Sequence, residues 1–145
     1  MIIRSATEED LSHIHKIEQE SFTLPWSFDA LEYEIHYEDS RFEVAILDNH
    51  IVGFSILRQI SVDAEIINIA VSKSHRRRGI ADKLINSILS YASDNALESI
   101  YLEVRQSNEA AIKLYEKHGF MSLGTRKDYY TDPLEDAITM VYKSG

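Results

Sequence analysis

The sequence predicts an α/β protein, and three observations predict it. Apolar residues recur at helical spacing in four segments and follow strand patterning in seven others. These segments run in the order β-α-α-β-β-β-α-β-α-β-β, as in a layered α/β architecture. The only two prolines, Pro25 and Pro133, lie between periodic segments, and no repeat, linker or low-complexity stretch divides the chain. At 145 residues there is room for one sizeable core, so residues 1–145 are expected to form a single domain.

Each element has its own signal. Residues 2–4 read as a short first strand. Thr7 with Asp10 marks a helix start, with the acid in the first turn facing the positive end of the helix dipole. Leu11, Ile14, Ile17 and Phe22 trace one helical stripe. Pro25-Trp26-Ser27 interrupts it, and Ser27 is placed to cap a second helix carrying Phe28, Leu31 and Ile35. Phe42, Val44 and Ile46 alternate as a strand. Asp48-Asn49-His50 is a turn, and residues 51–60 and 64–71 complete a three-strand meander. Leu84, Ile85, Ile88, Leu89 and Ala92 then stripe a helix over residues 79–95. Residues 99–104 form a strand, and 108–118 form a helix stopped by Gly119 in the position after its C-cap. Residues 123–130 and 137–142 close the chain as two strands.

Composition narrows the function classes. Apolar residues make up 44% and charged residues 27%, the balance of a globular protein. No apolar run reaches the roughly 20 residues that span a bilayer, and the N-terminus turns polar too soon for a signal peptide. No membrane partner and a cytoplasmic location are therefore expected. There is no cysteine, which removes disulfides, thiolate metal sites and cysteine nucleophiles. The net charge of −9 argues against general nucleic-acid binding and is compatible with steering a cationic substrate; solubility alone would explain it equally well. The six histidines are scattered, with His13 and His15 on different sides of a helix, so no metal is expected.

Three groups of residues carry chemistry. Arg76-Arg77-Arg78-Gly79-Ile80-Ala81 joins a strand to a helix start, where unpaired N–H groups and the dipole attract anions. Gly79 allows close backbone approach and the arginines add charge. A pyrophosphate site and a solvated basic cluster both fit this loop. Glu103 ends a strand, Asn108 begins the next helix, and Tyr115 lies two turns further on the same face. A carboxylate, an amide and a phenol can thus meet at one cleft; the same pattern also fits Glu103 paired with Arg105 or a surface lysine, Asn108 as a cap and Tyr115 packed in the core. Glu65 is a second base candidate. Trp26 and the pair Tyr129-Tyr130 sit beside turn residues, as in peptide-binding loops or in ordinary packing under a loop.

These residues resemble the GNAT superfamily of N-acetyltransferases, and within it the RimI-like branch. Arg76, Gly79 and Ala81 fill the family's (Gln/Arg)-x-x-Gly-x-(Gly/Ala) signature, preceded by Asn68-Ile69-Ala70-Val71 and followed by an amphipathic helix. Residues 102–105, Ser107-Asn108, Ala110-Ala111, Leu114-Tyr115-Glu116 and Gly119-Phe120 follow the RimI-like pattern, as do Pro25-Trp26-Ser27, Tyr129-Tyr130, Glu135-Asp136-Ala137 and Met140. The departures are three successive arginines in the loop and Ala81 in place of the commoner glycine.

The resemblance implies a GNAT fold with a single mixed sheet and acetyl-CoA as co-substrate. It implies that Arg76, Arg77, Arg78, Gly79, Ile80 and Ala81 hold the pyrophosphate. The backbone of Ile69, Ala70 and Val71 would pair with pantetheine, and Asn108 would bind coenzyme A. Glu103 would be the proton acceptor and Tyr115 the proton donor, with Trp26, Tyr129 and Tyr130 beside the peptide. The implied acceptor is a protein N-terminal α-amine, that of an alanine on a small-subunit ribosomal protein. Two other functions are open. One is acetylation of a lysine, polyamine or antibiotic amine. The other is a non-catalytic acyl-CoA-binding domain, which would need neither Glu103 nor Tyr115.

Overall fold

The computed structural model describes residues 1–144. They form β1 (Ile2–Ser5), α1 (Leu11–Ser21), α2 (Phe28–Ile35), β2 (Ser40–Leu47), β3 (His50–Ile60) and β4 (Asp63–Val71). After these come α3 (Ile80–Asp94), β5 (Ser99–Arg105), α4 (Glu109–Lys117), β6 (Met121–Thr131) and β7 (Leu134–Lys143). The element order matches the expected one, and the seven strands make one mixed sheet in the order β1-β2-β3-β4-β5-β7-β6.

Local chemistry explains the boundaries. The Asp10 carboxylate accepts the Thr7 N–H at 2.8 Å and is tied to Arg4, so a short 3-10 turn over Glu8–Asp10 leads into α1. The Ser27 hydroxyl accepts the Ala30 N–H at 3.1 Å and starts α2. Asp48 and Asn49 both take positive φ, 51° and 65°, as a tight hairpin turn requires. Gly119, at φ 94°, follows the C-cap His118 and ends α4. The helical stripes are narrower than expected. Phe22 stands at the C-cap of α1, where the chain turns extended, and is 39% exposed, while Phe28 is 40% exposed.

Helices cover both faces of the sheet. Leu11, Ile14 and Ile17 of α1 and Leu31 of α2 pack on Phe42, Val44, Phe54, Ile56 and Ala70. On the other face, Ile85, Ile88 and Ala92 of α3 and Tyr115 of α4 pack on Ile66, Ile100, Leu102, Val104 and Met140. Gly53 lets α3 lie close against β3: a Cβ there would be 3.0 Å from the Ala70 carbonyl oxygen and 3.2 Å from Ile80. That close packing fixes the N-terminus of α3 at the end of β4.

Candidate active site

The site begins with two strands that part. β4 and β5 are parallel neighbours, but they pair only over Asp63–Ser99, Ala64–Ile100 and Glu65–Tyr101. β4 carries an extra residue at this point, since Ile56 of β3 pairs with Asn68 and Leu57 with Ile66, leaving Ile67 unmatched. A bulge of this kind bends its strand. Beyond it β4 stays with β3 as far as Val71, while β5 stays with β7 as far as Arg105. Ile69, Ala70 and Val71 therefore border a gap with no strand partner on that side. The sheet has room there for an extended ligand that hydrogen-bonds as a strand does.

The gap leads to the basic loop. Arg77 and Gly79 both have positive φ, 65° and 76°, which turns the backbone into α3. Nothing lies within 4 Å of where a Gly79 side chain would start, so the helix start is open. The three arginines divide in role. Arg76 is spent on the protein, its Nε donating to the Val71 carbonyl at 3.2 Å and its guanidinium to Ser21 Oγ at 3.3 Å. Arg77 and Arg78 are exposed. Asp82, in the first turn of α3, would repel an anion. It is engaged instead by His118 at 2.7 Å and Lys117 at 3.0 Å, which hold its carboxyl below the usual range. An elongated ligand ending in a pyrophosphate suits this set of backbone groups and charges.

Glu103 and Tyr115 lie on opposite faces of the sheet. Leu102 and Val104 pack with α3 and α4, so Glu103 between them projects from the face that α1 and α2 cover. Its carboxylate accepts the Thr139 hydroxyl at 2.5 Å, and Arg126 Nε lies 3.8 Å away. Arg105 does not pair with it; that guanidinium points to the β6–β7 turn. Tyr115 is 7% exposed and packs edge-on against Phe120. Burial, with a smaller contribution from Tyr130, holds its phenol far above the ordinary tyrosine range. Tyr115 is thus both core packing and a protonated hydroxyl. Tyr130 lies near both groups; burial first, then Tyr129, push its phenol up to about 12, and Glu103 adds to the shift. Asn108 is exposed at the start of α4, its Oδ1 accepting the Ala111 N–H at 3.2 Å as a cap. Glu65 lies where β4 and β5 are still paired and beside Arg58, which places it short of the gap.

Two segments distant in sequence, the α1–α2 loop and the β6–β7 hairpin end, rim the face on which Glu103 stands. Trp26 is half-buried on the α1–α2 core, and its backbone N–H donates to Glu18 at 2.9 Å. Tyr129 and Tyr130 meet edge-to-face at 5.1 Å, and Arg105 stacks 4.3 Å from the Tyr130 ring. Arg105 also donates to the carbonyls of Pro133 at 2.9 Å and Asp132 at 3.0 Å, and pairs with Glu135. The Thr23 hydroxyl donates to the same Asp132 carbonyl at 2.5 Å, so the α1–α2 loop and the β6–β7 turn touch. Among the described residues no cluster of His, Asp and Glu is placed to hold a metal ion, and no helix is long and apolar enough to cross a membrane.

Sequence reading missed Glu18, Thr139 and the role of Arg105. A signal existed for Glu18 alone. It falls four residues after Ile14 on the buried stripe of α1, where an acid is out of place unless it has partners.

Comparison with known proteins agrees with this architecture. The sequence model of the acetyltransferase (GNAT) family matches residues 11–120. The ribosomal protein bS18-alanine N-acetyltransferase of Haemophilus ducreyi is 31% identical, the match covering 96% of this chain and 97% of that protein. An N-alpha-acetyltransferase of Saccharolobus solfataricus is 37% identical over 95% of this chain and 90% of its own length. The crystal structure of the ribosomal-protein-S18-alanine N-acetyltransferase from Escherichia coli superposes with a TM-score of 0.92 at 31% identity, covering 99% of this chain and 96% of that one. With its parted strands, basic loop and full-length relatives, the chain belongs to the GNAT acetyltransferase family and is an N-acetyltransferase.

Proposed function

We propose that residues 1–145 form one catalytic domain that acetylates a protein N-terminal α-amine in the cytoplasm. The acceptor in this reading is the N-terminal alanine of the small-subunit ribosomal protein bS18. The observation that carries the reading is full-length likeness to enzymes named for that substrate, with a TM-score of 0.92 to one of them. The Trp26 loop and the β6–β7 turn, which touch through Thr23 and Asp132, support a peptide acceptor.

Acetyl-CoA supplies the activated acetyl thioester. Arg77, Arg78 and the N–H groups opening α3 at Gly79, Ile80 and Ala81 would hold its pyrophosphate, with Arg76 fixing the loop and Asn108 at the start of α4 nearby. Ile69, Ala70 and Val71 would hydrogen-bond pantetheine along the free edge of β4. Glu103 takes the proton from the incoming amine, directly or through one water. An α-ammonium has a pKa of about 8, so this costs little near neutral pH. Tyr115 returns a proton to the sulfur that leaves. Its burial keeps the phenol protonated at every physiological pH, so the proton is present when the sulfur leaves. Trp26, Tyr129 and Tyr130 orient the acceptor peptide.

The test offers acetyl-CoA with a peptide panel and reads the products by mass spectrometry. The panel holds ribosomal-protein N-termini with free α-amines, the same peptides blocked at the α-amine but bearing a lysine, and spermidine. Acetylation confined to the α-amine, strongest on the bS18 N-terminus, is expected. Preference for the lysine peptide or spermidine would overturn the acceptor assignment, and no turnover on any acceptor would overturn the catalytic one.

A further inference from the structure

Four carboxylates are buried among the described residues: Asp10, Glu18, Glu34 and Glu43. Three have an arginine partner, Asp10 with Arg4, Glu34 with Arg58 and Glu43 with Arg41. Glu18 is 1% exposed and has none. Its two oxygens are instead taken by neutral donors. Oε2 accepts the Trp26 backbone N–H at 2.9 Å, and Oε1 accepts the Asn68 side-chain amide at 2.9 Å.

Burying an acid without a cation is costly, and an apolar side chain of similar size would pack there without that cost. What the carboxylate alone offers is two acceptors and no donor. Both groups aimed at it are N–H donors. One belongs to the loop on the acceptor side. The other stands on β4, immediately after the bulge at Ile67 and before Ile69, Ala70 and Val71. The far end of the loop is pinned separately, by Thr23 on the Asp132 carbonyl.

Resting on the N-acetyltransferase reading above, we propose that Glu18 is a positioning residue. It locks the Trp26 loop to β4, so that the acceptor lip is set at a fixed distance from the cofactor strand. Glu18 does not touch the reacting atoms. It determines how well the acceptor is held once the loop and strand are in register, and it does so through the Trp26 backbone.

The molecule carries its own reporter, because Trp26 is the only tryptophan in the chain. In Glu18→Gln one acceptor becomes a donor facing a donor. Acrylamide quenching of Trp26 fluorescence in the free protein should rise at least about twofold as the loop loosens. The acceptor-peptide KM should rise roughly tenfold, the loss expected for one charged hydrogen bond, with kcat and coenzyme A affinity close to wild type. Asn68→Ala removes the other arm and should change both readouts in the same direction by less, and it serves if Glu18→Gln does not fold. Wild-type quenching and KM in a folded variant would overturn the proposal. So would a fall in kcat or coenzyme A affinity with unchanged quenching, which would assign Glu18 to the chemistry or to the strand. Raised quenching in a protein that acetylates no α-amine peptide would sink the acceptor assignment and leave the positioning role supported.

Discussion

The two sides of the parted strands are built by different means. The proposed cofactor side is, apart from Asn108, one contiguous stretch, the end of β4, the basic loop and the first turn of α3. It offers mainly backbone groups, shaped by a bulge at Ile67 and by positive φ at Arg77 and Gly79. The proposed acceptor side is assembled through side chains from the α1–α2 loop, β5, β6 and the β6–β7 hairpin, with contacts such as Thr23 to the Asp132 carbonyl that join residues 109 positions apart. Backbone sites resist the deletion of any one side chain and yield to an added charge or bulk. Side-chain networks fail one member at a time. Substitutions on the acceptor side should therefore change KM for the amine, those on the cofactor side should change coenzyme A affinity, and only the groups at the gap itself should change kcat.

The largest effects belong to the gap. Tyr115→Phe keeps the ring that packs on Phe120 and removes only the hydroxyl. A fall in kcat of about 10²–10⁴-fold is expected, with acetyl-CoA binding nearly intact. Burial raises the Tyr115 phenol far above its usual range, so its charge is absent from about pH 6.5 to about pH 9.5 and the defect should be constant across that window. Turnover at the wild-type rate would reduce Tyr115 to packing.

Glu103→Gln should cost about 10²-fold at neutral pH, and the loss should shrink as pH rises. The reason lies in the substrate. An α-amine of pKa about 8 becomes neutral without help by about pH 9, whereas a lysine of pKa about 10.4 does not. A kcat/KM profile with α-amine and lysine peptides reads this directly. A variant that follows wild type at every pH would remove Glu103 from the base role.

The same contrast decides what was legible in the sequence. Helices, strands and caps follow from local spacing, and Ser27, Gly119 and the Asp48-Asn49 turn do what their residue types suggest. The basic loop was legible because its glycine, arginines and helix start are adjacent. The bulge was not, because nothing in Ile66-Ile67-Asn68-Ile69 distinguishes an extra residue from an ordinary strand position. The opposite-face arrangement of Glu103 and Tyr115 was missed for another reason: it depends on which face of β5 α4 packs against, on Leu102 and Val104, and spacing alone placed the two groups in one cleft. The Arg105 network was hidden for the converse reason. Its partners, Asp132, Pro133 and Glu135, come some thirty positions later, and only the pairing of β5 with β7 brings them near.

On the cofactor side, Gly79→Asp should weaken coenzyme A binding by about tenfold or more, measured by isothermal titration. The new Cβ meets nothing within 4 Å, and aspartate tolerates a φ of 76° better than most residues, so the fold should hold. Gly79→Ala separates the two causes, since it adds strain without charge and should cost less. Equal losses in the two variants would make backbone strain the explanation, and unchanged affinity in both would remove the pyrophosphate from this loop.

The smallest expected effect tests the acceptor side. Arg105 stands two residues beyond Glu103 on the same face of β5, so one strand carries both the candidate base and the anchor of the acceptor turn. Arg105→Met keeps much of the stem but loses the donors to Asp132 and Pro133 and the partner of Glu135, whose carboxyl is held low chiefly by Ser107 and secondarily by Arg105. Ser107 still donates its backbone N–H to Glu135 at 2.6 Å, so the turn should loosen without detaching. The acceptor KM should rise by about three- to tenfold, as expected for one or two hydrogen bonds, while kcat and coenzyme A affinity stay near wild type. Arg105→Lys supplies charge without the planar fork that spans two carbonyls, and it should recover only part of the loss. Full recovery by lysine would mean that charge near Tyr130 is what matters. A kcat loss in Arg105→Met as large as that of Glu103→Gln would mean that the turn and the base are one unit, and the division of the site into two independently built sides would fail.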